Sequence, residues 1–555
     1  MSARDTNNPK NHVLIGGVSV PLGGKPGIRR EFTSWATEAP AKSIQVSLFI
    51  RALQKFYDTP YTETLSYFQI AGRHAPFHTV FFCSSYSPGL WQQTLFNLMG
   101  EVIEDLKIED PGVKKEWLKE RSTWRLPYWN WALQPVEGVP DLFKHDKVAI
   151  CTPSGTEPET VTNPLHRYEM RVDGKVTLMG SPALGKYKID DVKQEPVEWT
   201  QWISLEFIHN NLHVFNGGAG DFSKGIGHMS NVPVAAFDPI FWMHHCYVDC
   251  IFAMWQVLNP DSWFDPAGGQ EKLVPFHNDF GGERHVDYFN SDDVRAYSTF
   301  GYEYDVLVRQ KGQEDEEYVA GITSHINKTY HGTGDVLQHD KGGLFLSGQL
   351  GGGDKDYEDY VINVLYDRYG YEDGAPYTIH FFFREAPAEA DVRAGDRMIH
   401  EFPGHVGSIS TFSSPVETVG QGEDNTLHCA KCARQRDEGV LSRASVSLTI
   451  SLYKDAVNKN IDAIGDLTPS TVETYLKDGL TWVAVSMEGR FIPWNELDKT
   501  KVFILQGTSE QPTDNNIFST YRSYTSMPAA TDGKEAGASK QDYKDFETGR
   551  LSMRV

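Results

Sequence analysis

The chain has 555 residues, of which 40% are hydrophobic and 12% aromatic, and its formal net charge is -23. A globular composition at this length predicts two to four domains, each large enough to bury a core. The strong negative charge argues against general binding to nucleic acid or to an anionic membrane. We therefore expect the partner to be a small uncharged molecule or another protein, with neither nucleic acid nor membrane involved.

The start of the chain and its cysteines indicate the compartment. The first residues, MSARDTNNPKNHVLIGG, have neither the charged region nor the apolar region of a secretory signal. No run of about 18 apolar residues follows anywhere in the chain. Six cysteines are too few for a disulfide scaffold at this length, and only Cys429 and Cys432 have motif spacing. These features predict a soluble, cytoplasmic protein.

The first half of the chain has helical periodicity. One helix is predicted from Ile44 to about residue 57, and a second opens at Ser87-Pro88, where a cap is followed by proline in the first turn. A third is predicted from Asp238-Pro239 to Asn259-Pro260. We expect a mainly α-helical domain over residues 1–336.

The second half changes to period two. In ASVSLTISL, the apolar residues from Val446 to Leu452 alternate with Ser and Thr, as in a half-buried strand. Further strands are predicted around residues 380, 483 and 503, with Gly-rich turns between them. We expect a β-rich domain over 337–528 and a disordered polar tail over 529–555, which together with the helical domain gives an α+β multidomain chain.

Two histidines provide the first candidate for chemistry. His209 and His213 in SLEFIHNNLHVF are four residues apart, so on a helix both imidazoles project from one face and can bind one metal ion. This spacing also arises often by chance on an ordinary polar helix face. It is not a zincin motif, because no glutamate follows the first histidine.

A second histidine pair strengthens the metal hypothesis. In FDPIFWMHHCYVD, Asp238 is predicted to cap a helix, and His244 and His245 lie among apolar side chains. A buried imidazole needs a partner. Three neutral imidazoles suit copper, but they also suit zinc, iron or nickel, so ligand type alone does not select the metal.

The stretch GHMSNVPVAAFDPIFWMHHCYVDCIFAMWQVLNP resembles the second copper-binding segment of the type 3 copper proteins, and within them of the fungal tyrosinases. The resemblance implies that His209, His213 and His245 hold the second copper, with His244 as a neighbour. It also implies that Glu206 and Asn210 hold a water that helps to deprotonate an incoming phenol. The alternative for Glu206 and Asn210 is that they are plain polar residues of a helix surface.

The resemblance extends to both ends of the helical half. GIRREF around Arg29 and Arg30 and FGYEYD with Tyr302 and Tyr304 resemble family segments in which an N-terminal arginine and a tyrosine motif tie the domain ends together. Simple aromatic packing is the alternative. The family fold implied is a helical dicopper domain with a four-helix-bundle core, followed by a C-terminal β-sandwich-like domain.

The first copper site departs from the family pattern. The resemblance makes His74, in SYFQIAGRHAPF, and His78, in FHTVFF, ligand candidates, but the Trp-His-Arg that normally follows is missing. Only 17 positions separate His74 from Trp91, far fewer than in the family. Either the chain has lost one copper or its coding segments were joined wrongly. Abrupt gaps beside long intact matches favour the second explanation.

The region from 337 to 528 resembles the C-terminal domain of fungal tyrosinase proenzymes, which caps the copper cleft until proteolysis removes it. Cys429-Ala-Lys-Cys432 fits this resemblance, and the family suggests that it delivers copper. From the residues alone, the pair could be a redox couple, half of a zinc site, a Cu(I) carrier or two plain thiols.

The resemblance implies a copper enzyme with two copper ions. The expected reaction is ortho-hydroxylation of monophenols and oxidation of o-diphenols to o-quinones by dioxygen, leading to melanin. Its partners would be a small phenol and dioxygen. Two alternatives stay open: a catechol oxidase without hydroxylase activity, and a non-catalytic copper- or oxygen-binding relative, which the incomplete first site favours.

Overall fold

A computed structural model describes residues 14–20, 24–36, 42–74, 80–133, 139–155, 157–172, 175–179, 205–218, 227–263, 269–270, 272–273, 276–278, 287–330, 346–349, 355–394, 397–414, 436–458, 464, 466–512 and 514–548. The described chain forms two compact units. Unit 1 comprises residues 1–131, 138–186 and 233–322, and unit 2 comprises 132–137, 187–232 and 323–555. Among the described helices, none is long and apolar enough to cross a membrane.

The described helices are, in chain order, α1 (Phe32–Ala36), α2 (Ile44–Asp58), α3 (Tyr67–His74), α4 (Val80–Asp105), α5 (Pro111–Thr123), α6 (Leu205–Gly217), α7 (Ile240–Leu258), α8 (Asp315–Thr329), α9 (Glu389–Ala394), α10 (Thr449–Asn458), α11 (Pro469–Gly479) and α12 (Lys540–Glu547). The described strands are β1 (Gly27–Arg29), β2 (Lys147–Ile150), β3 (Glu159–Thr162), β4 (Glu169–Val172), β5 (Lys175–Met179), β6 (His277–Asn278), β7 (Asp287–Tyr288), β8 (Tyr302–Tyr304), β9 (Leu346–Gln349), β10 (Lys355–Tyr366), β11 (Tyr377–Phe383), β12 (His405–Ser410), β13 (Ser442–Ser447), β14 (Leu480–Ser486), β15 (Phe491–Ile492), β16 (Lys501–Gln511) and β17 (Thr520–Ser526).

Unit 1 is a helical core in which α4 packs against α2, α5 and α7. Trp91 of α4 stacks on Trp242 of α7 with ring centroids 5.1 Å apart, and Phe49 of α2 meets the edge of Trp91. All three side chains are buried. Because large aromatic rings supply much buried apolar area, they hold these helices together. The predicted helical first half is confirmed.

A buried arginine joins the two ends of unit 1. Strand β1 pairs in parallel with β8. The guanidinium of Arg29 lies 3.5 Å from the ring centroid of Tyr302, and its Nη1 donates to the Tyr304 hydroxyl. Asp249 of α7 accepts a hydrogen bond from Tyr302 at 2.7 Å and lies 3.6 Å from Arg29. The prediction that an N-terminal arginine and the tyrosine motif tie the ends together is confirmed, with Arg29 as the arginine.

Replacing Asp249 with alanine should destabilise unit 1. Arg29 is fully buried, so losing the carboxylate leaves a buried cation without its counter-ion. We expect a loss of about 3–5 kcal/mol in the free energy of unfolding, measured by urea denaturation. Asp261→Ala, at an exposed position, is the control and should change stability by no more than about 0.5 kcal/mol. Equal effects of the two substitutions would contradict this account.

Unit 2 contains two antiparallel sheets that share one core. The first has the order β13-β10-β16-β17, with β9 also paired to β10, and the second has the order β12-β11-β14-β15. Apolar side chains from both sheets, such as Ile362, Ile504, Ile379 and Phe381, belong to the same buried cluster. Two sheets sharing a core are the arrangement of a β-sandwich, so the predicted C-terminal fold is confirmed.

Helix α6 packs on the edge strand β12 within unit 2. The side-chain amide of Asn211 donates to the Ser408 carbonyl and accepts from the Ser410 N–H, both at 3.1 Å. One amide thereby satisfies two backbone groups that an open sheet edge would leave exposed. Phe207 of α6 also joins the core of the sandwich.

Two predicted elements are corrected. The segment ASVSLTISL is a strand only as far as Ser447. The hydroxyl of Thr449 accepts the Tyr360 N–H and donates to the Asp359 carboxylate, and Thr449 begins α10. The four-residue spacing of Leu448 and Leu452 places them on one face by helical geometry. Helix α4 begins at Val80 instead of Ser87 and therefore contains Pro88.

The prediction of a disordered tail is wrong for residues up to 548. Helix α12 lies over β16, where the buried Tyr543 packs on Phe503 and its hydroxyl accepts the Ile504 N–H at 2.8 Å. The polar composition of the segment hid these few anchoring contacts. The boundary between the units also differs from the predicted 336/337, because unit 2 includes residues 187–232 and resumes at 323.

Candidate metal centre

Helix α6 presents two buried histidines from one face, as their four-residue spacing predicts. His209 is 2% and His213 0% exposed. The Nε2 atoms of the two rings lie 3.0 Å apart. Burial lowers the pKa of His209 to about 4, so its ring is neutral at pH 7, the state in which imidazole binds a metal.

The other nitrogen of each ring is held by a specific acceptor. Nδ1 of His213 lies 2.9 Å from the Met229 carbonyl oxygen, so it must carry the proton and donate it. Nδ1 of His209 lies 3.0 Å from Oδ1 of Asn210 and donates in the same way. With both protons on Nδ1, both Nε2 atoms offer lone pairs toward each other. This orientation of two imidazoles by outer hydrogen bonds is typical of metal ligands.

Helix α7 carries the second pair. His244 and His245 are both buried. The ring of His245 stacks on Phe241 at 4.1 Å, and the ring of His244 lies 6.1 Å from that of Trp131. The helix begins at Ile240 and its N-cap is Pro239, not the predicted Asp238. Asp238 lies one residue earlier, and its carboxylate accepts the Ile240 N–H at 3.1 Å.

Each of the two helices thus carries a pair of buried histidines, His209 and His213 in unit 2 and His244 and His245 in unit 1. Buried imidazoles fit copper, which accepts nitrogen ligands readily. Whether His245 binds and His244 is only its neighbour stays a prediction.

The first copper site lies largely outside the described residues. His74 is the last residue of α3, whose backbone alone is described at that position. His78, Cys429 and Cys432 are not among the described residues. The predictions for these four positions therefore stay predictions.

The two other predicted site residues have clear partners. Asn210 is buried and holds His209, as described above. The carboxylate of Glu206 forms an ion pair with Arg368 at 2.8 Å, and both side chains are largely covered. Burial works against the charge of this arginine, but the Glu206 carboxylate raises its pKa above the ordinary value.

Two site residues were missed by sequence reasoning. Arg368 follows β10, and Phe412 follows β12 in the segment STFSS. The ring of Phe412 stacks on His213 with centroids 4.0 Å apart and an angle of 17°, and it lies 5.9 Å from the ring of His209. Neither residue belongs to a recognisable motif, and each is far from α6 in the chain.

Comparisons with known proteins agree with this site. Residues 106–196 and 186–258 match the family described as the common central domain of tyrosinase, and residues 359–504 match the tyrosinase C-terminal domain. A tyrosinase of Aspergillus fumigatus is 29% identical, with 88% of this chain and 94% of that protein covered. Polyphenol oxidase 3 of Agaricus bisporus is 26% identical, with 78% and 85% covered.

A solved structure is similar over nearly the whole chain. The holo-protyrosinase of Aspergillus oryzae superimposes with a TM-score of 0.66 at 21% sequence identity, covering 96% of this chain and 99% of that one. At this identity the likeness concerns the fold. Both domain matches, the fungal relatives and the two buried histidine pairs lead to the same conclusion: the chain belongs to the tyrosinase family of type 3 copper proteins.

Proposed function

We propose that this protein is a tyrosinase that hydroxylates small monophenols at the ortho position and oxidises the o-diphenols to o-quinones, leading to melanin. In the overall reaction, one monophenol and one dioxygen give one o-quinone and one water. Copper, when bound, supplies the dioxygen chemistry. The protein supplies the imidazole ligands, a water-poor pocket and the groups that orient the phenol and take its proton.

The observation that carries the proposal is the arrangement of the α6 histidines. Their Nδ1 protons are directed to Met229 and Asn210, so both Nε2 lone pairs point to one position. Two lone pairs 3.0 Å apart repel each other unless a cation or a shared proton lies between them. The ring orientation therefore supports a metal ion bound by His209 and His213.

We assign different roles to the two polar residues of α6. Asn210 fixes the ring of His209 and contributes through it to copper binding. Glu206 would hold the water that assists deprotonation of the phenol. In the intact chain, however, its carboxylate is paired with Arg368, which also donates to the Ser442 hydroxyl at 2.8 Å. Glu206 would become available to a substrate only after this ion pair is broken.

We also propose that the C-terminal domain keeps the enzyme latent. Phe412 stacks on the copper ligand His213, where the ring of a phenol would otherwise lie. Arg368, from the same domain, neutralises Glu206. Proteolytic removal of the C-terminal domain would free both groups at once.

Copper content and oxygen uptake test the function. The full chain would be loaded with copper, its metal content measured, and oxygen consumption followed with a monophenol and with a catechol before and after limited proteolysis. We expect two coppers per chain and turnover of both substrates after cleavage. Turnover of catechol alone would identify a catechol oxidase. One copper or none, without turnover after cleavage, would identify a non-catalytic relative and refute the proposal.

A further inference from the structure

A second histidine cluster lies in unit 2, separate from α6. His380 lies in β11, His405 begins β12, and His400 lies in the short 3-10 turn Ile399–Glu401 that precedes β12. Nδ1 of His380 lies 3.2 Å from Nε2 of His405. The ring centroid of His405 is 5.4 Å from that of His380 and 6.4 Å from that of His400. His405 is therefore the central member.

The local backbone brings His380 and His405 together. In the antiparallel register, His380 is opposite Ser408 and Phe382 is opposite His405, with an irregularity between Phe381 and Phe382. Side chains two residues apart on a strand share a face, so His380 and Phe382 point to the same side of the sheet. His405 is thus a diagonal neighbour of His380 on that face.

The surroundings favour neutral imidazoles. His380 is 5% exposed, and Phe382 packs its ring against His405 at 5.2 Å. Burial, followed by the neighbouring histidines, holds the pKa of His380 well below 6.5, and the same causes lower the pKa of His405 to about 3. Both rings therefore carry lone pairs at neutral pH.

The separation of the two nitrogens suits one metal ion. With metal–nitrogen bonds of about 2.0–2.1 Å and a tetrahedral angle, two nitrogen ligands lie about 3.3 Å apart. The His380–His405 distance of 3.2 Å is close to this value. The histidine pair on α6 is likewise buried, with nitrogens 3.0 Å apart.

We propose that His380 and His405 form a second cation site in the C-terminal domain. A set of neutral nitrogens selects a soft or borderline ion of the d10 type, Zn²⁺ or Cu⁺, over hard cations such as Mg²⁺ or Ca²⁺. A bound ion would cross-link β11 and β12. Since β12 is the strand that Asn211 of α6 bonds, the ion would stiffen the support of that helix.

A plain hydrogen bond is the competing explanation, because one neutral imidazole can donate to another at 3.2 Å with no ion. Metal binding separates the two explanations. The test uses the full chain with His209→Ala, His213→Ala, Cys429→Ser and Cys432→Ser, which removes the α6 pair and the thiols. This variant would be dialysed separately against Zn²⁺ and, without oxygen, against Cu⁺, and its metal content measured.

We expect this background to retain one ion per chain, and to lose it on addition of His380→Gln or His405→Gln. His145→Gln, at an exposed histidine, is the matched control and should keep the ion. Zn²⁺ should also raise the melting temperature of the background and of the His145→Gln chain, but not of the His380→Gln chain. If the chain retains only one of the two metals, Zn²⁺ or Cu⁺, that result identifies the ion that the site selects.

A spectroscopic readout covers the case in which the glutamine variants do not fold. Co²⁺ bound to the background chain should give the visible bands of a nitrogen-ligated tetrahedral ion without a thiolate charge-transfer band. Absence of a bound ion in the background, or its retention in both glutamine variants, would overturn the proposal. Neither readout depends on enzyme activity, so failure here leaves the tyrosinase proposal untouched.

Discussion

Replacing His213 with alanine should abolish copper binding by the α6 pair and, with it, phenol oxidation. The substitution removes one of the two facing Nε2 atoms, on the ring that the Met229 carbonyl orients. Loss of an outer hydrogen-bonding partner typically costs about 10–100-fold in metal affinity, and loss of a ligand costs more. Copper content and oxygen uptake of the proteolysed chain measure the effect.

Two further variants make this result specific. Asn210→Ala keeps both imidazoles but removes the acceptor of His209 Nδ1, so we expect copper affinity to fall by about 10–100-fold without being lost. His166→Gln is the matched control, because His166 also has its Nδ1 3.1 Å from a backbone carbonyl, that of Phe143, but belongs to neither of the two histidine pairs. It should leave copper content unchanged.

The same assay distinguishes the histidines of α7. Family resemblance assigns the ligand role to His245, whereas burial alone does not distinguish it from His244. We expect His245→Ala to lose copper and His244→Ala to retain it. Full copper retention by His213→Ala or by His245→Ala would contradict the proposed ligand set.

The metal centre was predictable from sequence to the extent that it depends on local geometry. The four-residue spacing of His209 and His213 determines that they share a helix face, and α6 forms as expected. Adjacent histidines in an apolar helix imply burial, and His244 and His245 are buried. Tyr302, Tyr304 and Arg29 also meet as the family pattern suggests.

The rest depends on long-range contacts that no local pattern encodes. Alternation in ASVSLTISL fits a strand, but Thr449 bonds backbone and side-chain groups of β10 and turns the chain into α10. The polar tail is ordered because Tyr543 bonds β16. The ion pair between Glu206 and Arg368 joins residues more than 160 positions apart. Such contacts arise only once the sheets of unit 2 have formed.

Replacing Phe412 should release activity in the uncut chain. The neighbouring backbone fixes the position of Phe412. Strand β12 ends at Ser410, and the next residue, Thr411, donates its N–H to the Tyr377 carbonyl and accepts the Tyr377 N–H with its hydroxyl. Phe412 then takes a φ of +39°. A phenylalanine in the left-handed region is strained by about 1–2 kcal/mol. Because the hydrogen bonds of the preceding residue maintain this strain next to the histidines of α6, we infer that the fold holds the Phe412 ring in one specific position.

Phe412→Ala removes the ring that stacks on His213 and opens the space beside that ligand. An aromatic stacking contact contributes about 0.5–1.5 kcal/mol beyond its buried area, so we expect catechol oxidation by the uncut, copper-loaded chain to rise by up to about tenfold. Phe412→Gly should raise it equally, and it should unfold at a higher temperature than Phe412→Ala, because glycine relieves the backbone strain.

The matched control is Phe402→Ala, a half-buried phenylalanine of the same domain that packs against the cluster of Phe382 and Ile399 instead of His213. It should lower stability without raising activity before cleavage. Proteolysis should bring wild type and Phe412→Ala to similar rates, because the segment that carries the substitution no longer covers the site. The contrary result would be an uncut Phe412→Ala chain that stays as inactive as wild type while cleavage activates both. Phe412 would then not block the substrate, and the ion pair of Arg368 with Glu206 would be left as the contact that maintains latency.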